Sequence, residues 1–95
     1  MSTSSLMYSG AMYSLGILLY EMLAFQPPFV GRPGDVLRRH LHEAAPPPST
    51  LANEAVPGWL DRLILDLLAK GPHDRPASGR EVALALRTGS WPIVV

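Results

Sequence analysis

The chain has no cysteine, a single asparagine (Asn53) and no excess of charge of either sign. Without cysteine there are no disulfides, no thiolate nucleophile and none of the common structural zinc sites, which fits a reducing compartment and makes the cytoplasm the expected location. Lys plus Arg number 8 and Asp plus Glu number 8. No basic field is therefore available to attract phosphates, and nucleic acid is not an expected partner. No Lys or Arg precedes Arg32, and Ser9, Gly10, Ser14 and Glu21 interrupt the one long apolar stretch, Leu6 to Phe25. Neither a membrane span nor a signal peptide is expected from such a pattern. At 95 residues the chain suits one small helical unit and falls short of a two-lobed nucleotide-binding enzyme.

Ten prolines and eight glycines punctuate what is there. From Ala11 to Ala24 the residues Met12, Tyr13, Leu15, Ile17, Leu18, Leu19, Tyr20, Met22 and Leu23 leave almost no polar face. This predicts a central helix surrounded on all sides, more than the rest of so short a chain can wrap, so further protein is expected around it. Pro27 and Pro28 stop it. Asp35 is the expected N-cap of a second helix reaching about Glu43, with Val36, Leu37 and Leu41 on a narrow apolar side. Ala44 to Ser49, with three prolines in a row, reads as an extended spacer. With no basic residue beside the prolines to orient docking, a connector is favoured over a proline-recognition ligand.

Trp59, Leu60, Leu63, Ile64, Leu67 and Leu68 form one stripe at helical spacing, the clearest helix of the chain. Pro57 suits its first turn, and Lys70, Gly71 and Pro72 read as its end, Gly71 as a left-handed cap. Ser78-Gly79-Arg80-Glu81 is a capping box opening a fourth helix with Val82, Ala85 and Leu86 on its buried side. Gly89 ends it, and Trp91 to Val95 form a short apolar tail that either packs back or stands free. The fold class is all-α, with about four helices.

Few residues offer chemistry. Gly31-Arg32-Pro33-Gly34 lacks the spacing and context of a phosphate loop, and no Gly-x-Ser-x-Gly elbow occurs. His40 and Glu43 share a helix face while His42 points elsewhere, so at most two ligands converge. A solvated face is expected, with no metal. Arg38, Arg39 and His40 form a small basic cluster that is either plain surface or a docking point for an acidic or phosphorylated partner, resting on Arg38 and Arg39. No catalytic, cofactor-binding or metal residue is assigned.

Three stretches carry a family resemblance: Tyr13-Ser14-Leu15-Gly16-Ile17-Leu18-Leu19-Tyr20-Glu21-Met22-Leu23, then Pro27-Pro28-Phe29, and Leu67 through Pro76. In order and spacing they resemble the closing helices of the large lobe of a bacterial-type serine/threonine protein kinase, from about Ser9 to Arg87. The resemblance implies a partial kinase domain over residues 10–88, with an irregular segment at 1–9 and a tail at 89–95. It assigns structural positions to Gly16, Arg75 and Pro76, and implies ATP and magnesium as cofactors of an intact kinase only. His73-Asp74-Arg75 has the letters of the catalytic triplet in the wrong order, and Asn53 alone cannot rebuild the magnesium site.

Departures from the family pattern carry expectations of their own. Ala11 stands where the family has an aspartate that holds the catalytic loop. Arg75 matches an arginine that in the family pairs with a glutamate just after the activation segment, and that segment's motif is not in this chain. A buried guanidinium without that acid is costly, so Arg75 is expected to face solvent or to take Asp74 instead. Phe25 replaces a glycine, at about 1 kcal/mol. Three readings follow from the resemblance: a kinase fragment without transferase activity of its own, a non-catalytic module that binds a kinase or its substrate, and a remnant too exposed to fold stably.

Overall fold

The computed structural model describes residues 10–92. Helix α1 spans Ala11–Ala24, as its apolar run predicts, and ends at Phe25, whose backbone lies in the left-handed region at φ 59°. The Phe25 amide still closes the last turn onto Glu21 O at 2.9 Å. The buried positions Tyr13, Gly16, Tyr20 and Ala24 recur every three or four residues, so only one face is covered. The expectation of all-round burial is corrected here. Leu18 and Met22 are 55% and 63% exposed, and Phe25 80%.

Helix α2 spans Pro33–His42, three residues earlier than an Asp35 cap would allow. Proline at the first helical position starts it, since its fixed φ suits the helix and its missing amide would be unpaired there anyway. Asp35 thus falls inside the first turn, where its carboxylate suits the helix dipole and pairs with Arg38 at 3.1 Å. Val36, Leu37 and Leu41 are half-buried. The one buried residue of α2 is His40.

The proline stretch is more than a spacer. Tyr20 donates its hydroxyl to Pro46 O at 2.8 Å, Pro48 is buried, and Pro48–Thr50 form a 3-10 turn. Asp61 fixes that turn by accepting from the Ser49 amide at 3.0 Å and from the Ser49 hydroxyl. Rigid prolines reduce the entropy lost when such a segment is pinned.

Helix α3 spans Gly58–Leu67, with Pro57 one residue outside as N-cap. Its end comes at Leu68, three residues before the expected stop, and Gly71 has φ −83° and ψ 126°, an extended conformation. The left-handed cap is therefore corrected. A Cβ there would meet only the Asp74 carboxylate, the tip of an exposed side chain in the 3-10 turn Pro72–Asp74. Leu63, Ile64 and Leu67 have no exposed surface, which makes α3, not α1, the most enclosed helix.

Helix α4 spans Gly79–Thr88 and closes on Gly89, left-handed at φ 66°. Ser78 Oγ accepts the Glu81 amide at 3.3 Å. The return arm of the capping box lands one residue early, on the Ala77 amide at 2.7 Å. Val82 and Ala85 face inward, whereas Leu86, expected inside, is 44% exposed. The core has two parts divided by α3. Tyr13, Tyr20, Ala24, Ile64 and Leu68 meet on one side, and Leu63, Leu67, Val82 and Ala85 on the other. Trp91 packs on the second part and donates Nε1 to Asp66 Oδ2 at 2.8 Å. Of the two expectations for the tail, packing back holds for Trp91; residues 93–95 and the N-terminal segment 1–9 lie outside the described residues. Among the described residues there is no strand, and no helix is long and apolar enough to cross a membrane.

Candidate functional site

Tyr13 projects from the covered face of α1 and meets His40 from α2, the phenol oxygen 2.6 Å from Nδ1. Phe29 closes the third side, edge-on to the imidazole with ring centroids 5.0 Å apart. Lys70 places its ammonium 5.0 Å from the Phe29 centroid and 5.9 Å from that of Tyr13. Arg39 stacks on Phe29 at 5.1 Å and Arg75 on Tyr13 at 5.0 Å. Cations over aromatic faces are attracted by the ring quadrupole, and two aromatic rings here hold three of them.

Burial, and then Lys70, hold the His40 imidazole below its usual pKa. Burial also lowers Lys70, with Glu43 opposing and Arg75 adding to the shift. On the far side of the first core part, burial and then Asp61 raise the Tyr20 phenol. Each is held by its own partner: His40 by the Tyr13 hydroxyl, Lys70 by Arg39 O at 3.4 Å and Tyr20 by Pro46 O. His40 was expected on a solvated face with Glu43. It is only 8% exposed, and Glu43 instead takes Arg39 at 2.8 Å. Among the described residues, no group of three possible metal ligands occurs.

Arg75 follows neither route expected of it. Its Nε donates to Ala69 O at 2.7 Å and its Nη2 to Lys70 O at 3.3 Å. These carbonyls lie just past the end of α3, where unsatisfied acceptors and the helix dipole favour a cation. An open cavity of about 540 Å3 lies beside it, lined by the first residues of α1, by His73 and Arg75, and by Pro76 and its neighbours. Pro76 itself is buried. Gly16 lies where α1 crosses α3, and a Cβ on it would stand 2.8 Å from Leu67 Cβ and 3.0 Å from Leu68 Cδ2.

No protein-family model matches the chain. Individual proteins do. It is 44% identical over 73 residues to the DNA damage-responsive serine/threonine-protein kinase RqkA of Deinococcus radiodurans. It is 41% identical over 71 residues to the serine/threonine-protein kinase PknB of Mycobacterium tuberculosis, and 38% over 76 residues to a probable serine/threonine-protein kinase of Clostridium perfringens. These matches cover 76%, 74% and 79% of the chain and 11% of each relative. The chain is homologous to bacterial serine/threonine-protein kinases.

Its helices are those of a kinase large-lobe piece, and Gly16, Arg75 and Pro76 occupy a crossing, a helix end and a buried turn of this kinase homologue. Arg38 and Arg39 border one open surface pocket together with His42 and Glu43. Arg38 is exposed and paired with Asp35, while Arg39 pairs with Glu43, donates to Val30 O at 2.9 Å and stacks on Phe29. Sequence reasoning missed Tyr13, His40 and Lys70 as a unit. One signal was available: His40 lies four residues after Val36 and three after Leu37, in line with the apolar side of α2.

Proposed function

We propose that this chain is a scaffold segment from the large lobe of a serine/threonine protein kinase, without transferase activity of its own. The kinase to which such a segment belongs transfers phosphate from ATP to serine or threonine, with magnesium. The 44% identity over 73 residues to such a kinase carries this reading. The pairing of the polar side chains supports the scaffold role. His40 is taken up by Tyr13, Arg75 by carbonyls, Asp61 by Ser49 and Asp66 by Trp91. Phosphoryl transfer needs groups that position ATP and its metal, and Asn53, the chain's one asparagine, is an exposed loop residue. ATP and magnesium thus belong to the intact kinase, and the cytoplasm is the proposed location.

Incubating the purified chain with labelled ATP, magnesium and a generic acceptor protein tests this directly. No phosphate incorporation is expected, and transfer that survives repurification would overturn the inactive reading. An antibody against Leu60 to Arg87 tests the parent. A larger native product with kinase activity supports the scaffold role, whereas a native product of this size would favour a non-catalytic function.

A second reading, a protein-binding module, is favoured by one observation. Leu18, Met22 and Phe25 leave much of one side of α1 uncovered, as at surfaces that meet other proteins. Docking through Arg38 and Arg39 belongs to this reading. Charge reversal at Arg38 is expected to weaken binding to an intact kinase domain or its substrate while leaving the fold unchanged. Equal binding by Arg38→Glu and the unaltered chain would remove that arginine from the interface.

A further inference from the structure

Apart from one long bond from Lys70 Nζ to Arg39 O at 3.4 Å, helix α2 is anchored by little. Its one buried residue is His40, and its other apolar residues, Val36, Leu37 and Leu41, are half-buried. By contrast α1 and α3 interlock through Gly16, Leu67 and Leu68 and share the first part of the core. The imidazole that holds α2 down is bonded to Tyr13 of α1 and lies edge-on to both Tyr13 and Phe29.

The charged groups around this ring are mostly of one sign. From the segment after α3 come Lys70 and Arg75, both over the Tyr13 ring. From α2 itself comes Arg39, over Phe29. Glu43, next after α2, is bound to Arg39. The Tyr13 hydroxyl can accept a hydrogen bond from a protonated Nδ1 as readily as donate to a neutral one. The hydrogen bond therefore does not oppose a charged imidazole; burial and then the Lys70 ammonium do.

We propose that His40 is a pH-sensitive latch: the neutral imidazole, seated between Tyr13 and Phe29, holds α2 against the body, and its protonation releases α2 while α1 and α3 stay packed. The sign follows from linkage. The closed-state pKa lies below the ordinary value of 6.5, and the released imidazole regains that value. The latch is fully set above the ordinary value and weakens as pH falls below it, until the closed-state value is reached. Within that window the open fraction rises by up to about tenfold per pH unit.

Amide hydrogen exchange on the whole chain, corrected for intrinsic rates and followed from about pH 7.5 to about pH 5, tests the latch. Protection of the amides from Val36 to Glu43 is expected to fall by up to about tenfold per unit in the window, with Leu63 to Leu68 unchanged. In His40→Gln the same amides are expected to show no such dependence. A flat profile in the unaltered chain, a profile that persists in His40→Gln, or parallel loss in α3 would each overturn the proposal. The His40 ring-proton resonance needs no variant. Its midpoint is expected below the ordinary value of 6.5 and together with α2 opening, and a midpoint at that ordinary value with α2 closed would refute the latch.

Discussion

Gly16 and Leu67 approach so closely that a Cβ on the glycine would stand 2.8 Å from the Cβ of the leucine. A Cβ held on a helix cannot swing aside as the tip of a long side chain can, so a larger residue must push α1 and α3 apart. Gly16→Ala gains about 1 kcal/mol of helix propensity but overpacks the crossing, typically by about 1–3 kcal/mol. A lower melting temperature is expected by circular dichroism. An alanine variant that melts at or above the unaltered chain would mean that the crossing relaxes freely.

Phe25 ends α1 with φ 59° and a side chain 80% exposed. A left-handed backbone strains any residue with a Cβ, and glycine adopts it freely. Phe25→Gly is expected to stabilise the chain by about 1 kcal/mol and to reduce its tendency to associate. Reduced stability would show instead that the ring packs against the groove formed by Met22, Leu23 and the loop from Ala52 to Val56.

Element type was legible in this sequence because each helix carries its own local signals. The apolar run of α1, the stripe of α3 and the pair Ser78 and Gly89 bounding α4 needed no tertiary information. The misplacements share a different cause. Asp35 lost the N-cap position because Pro33 could start the helix earlier. Gly71 lost its cap role because the chain turns back as a 3-10 turn. His40 and Arg75 were misread because their partners are far away or are backbone: Tyr13 lies 27 residues from His40, and Arg75 meets carbonyls that no side-chain pattern reveals. The kinase resemblance was readable from motifs, while the cation and aromatic cluster became visible only once α2 lay on α1.

Alkaline stability provides a third test. Burial, and then Asp61, raise the Tyr20 pKa above its ordinary value of 10.0, so the unfolded chain gives up that proton first. Stability from Tyr20 is full below the unfolded value and is lost as pH rises through the folded one. Lys70, lowered from 10.5, has the opposite dependence in the same range, so the difference between two proteins is the informative quantity. Tyr20→Phe is expected to be less stable at neutral pH, for want of the bond to Pro46 O. Its deficit should shrink as pH climbs past the ordinary tyrosine value. A deficit that stays constant to high pH would mean that Tyr20 ionises equally in both states.

Arg75 separates charge from shape. Its guanidinium spans two successive carbonyls, Ala69 O and Lys70 O, while its plane lies over Tyr13. A lysine keeps the charge and the attraction to the helix end but has no planar fork, so it cannot reproduce both bonds and the stack together. If charge at the end of α3 were the main contribution, Arg75→Lys would be nearly neutral and Arg75→Gln clearly destabilising. The two donated bonds argue otherwise, because each carbonyl left without a partner in a half-buried site costs about 1–3 kcal/mol. Both variants are therefore expected to lose comparable stability in urea unfolding, with the loss showing first as weaker amide protection in the turn from Gly71 to Arg75. A lysine variant as stable as the unaltered chain would assign the role of Arg75 to charge alone.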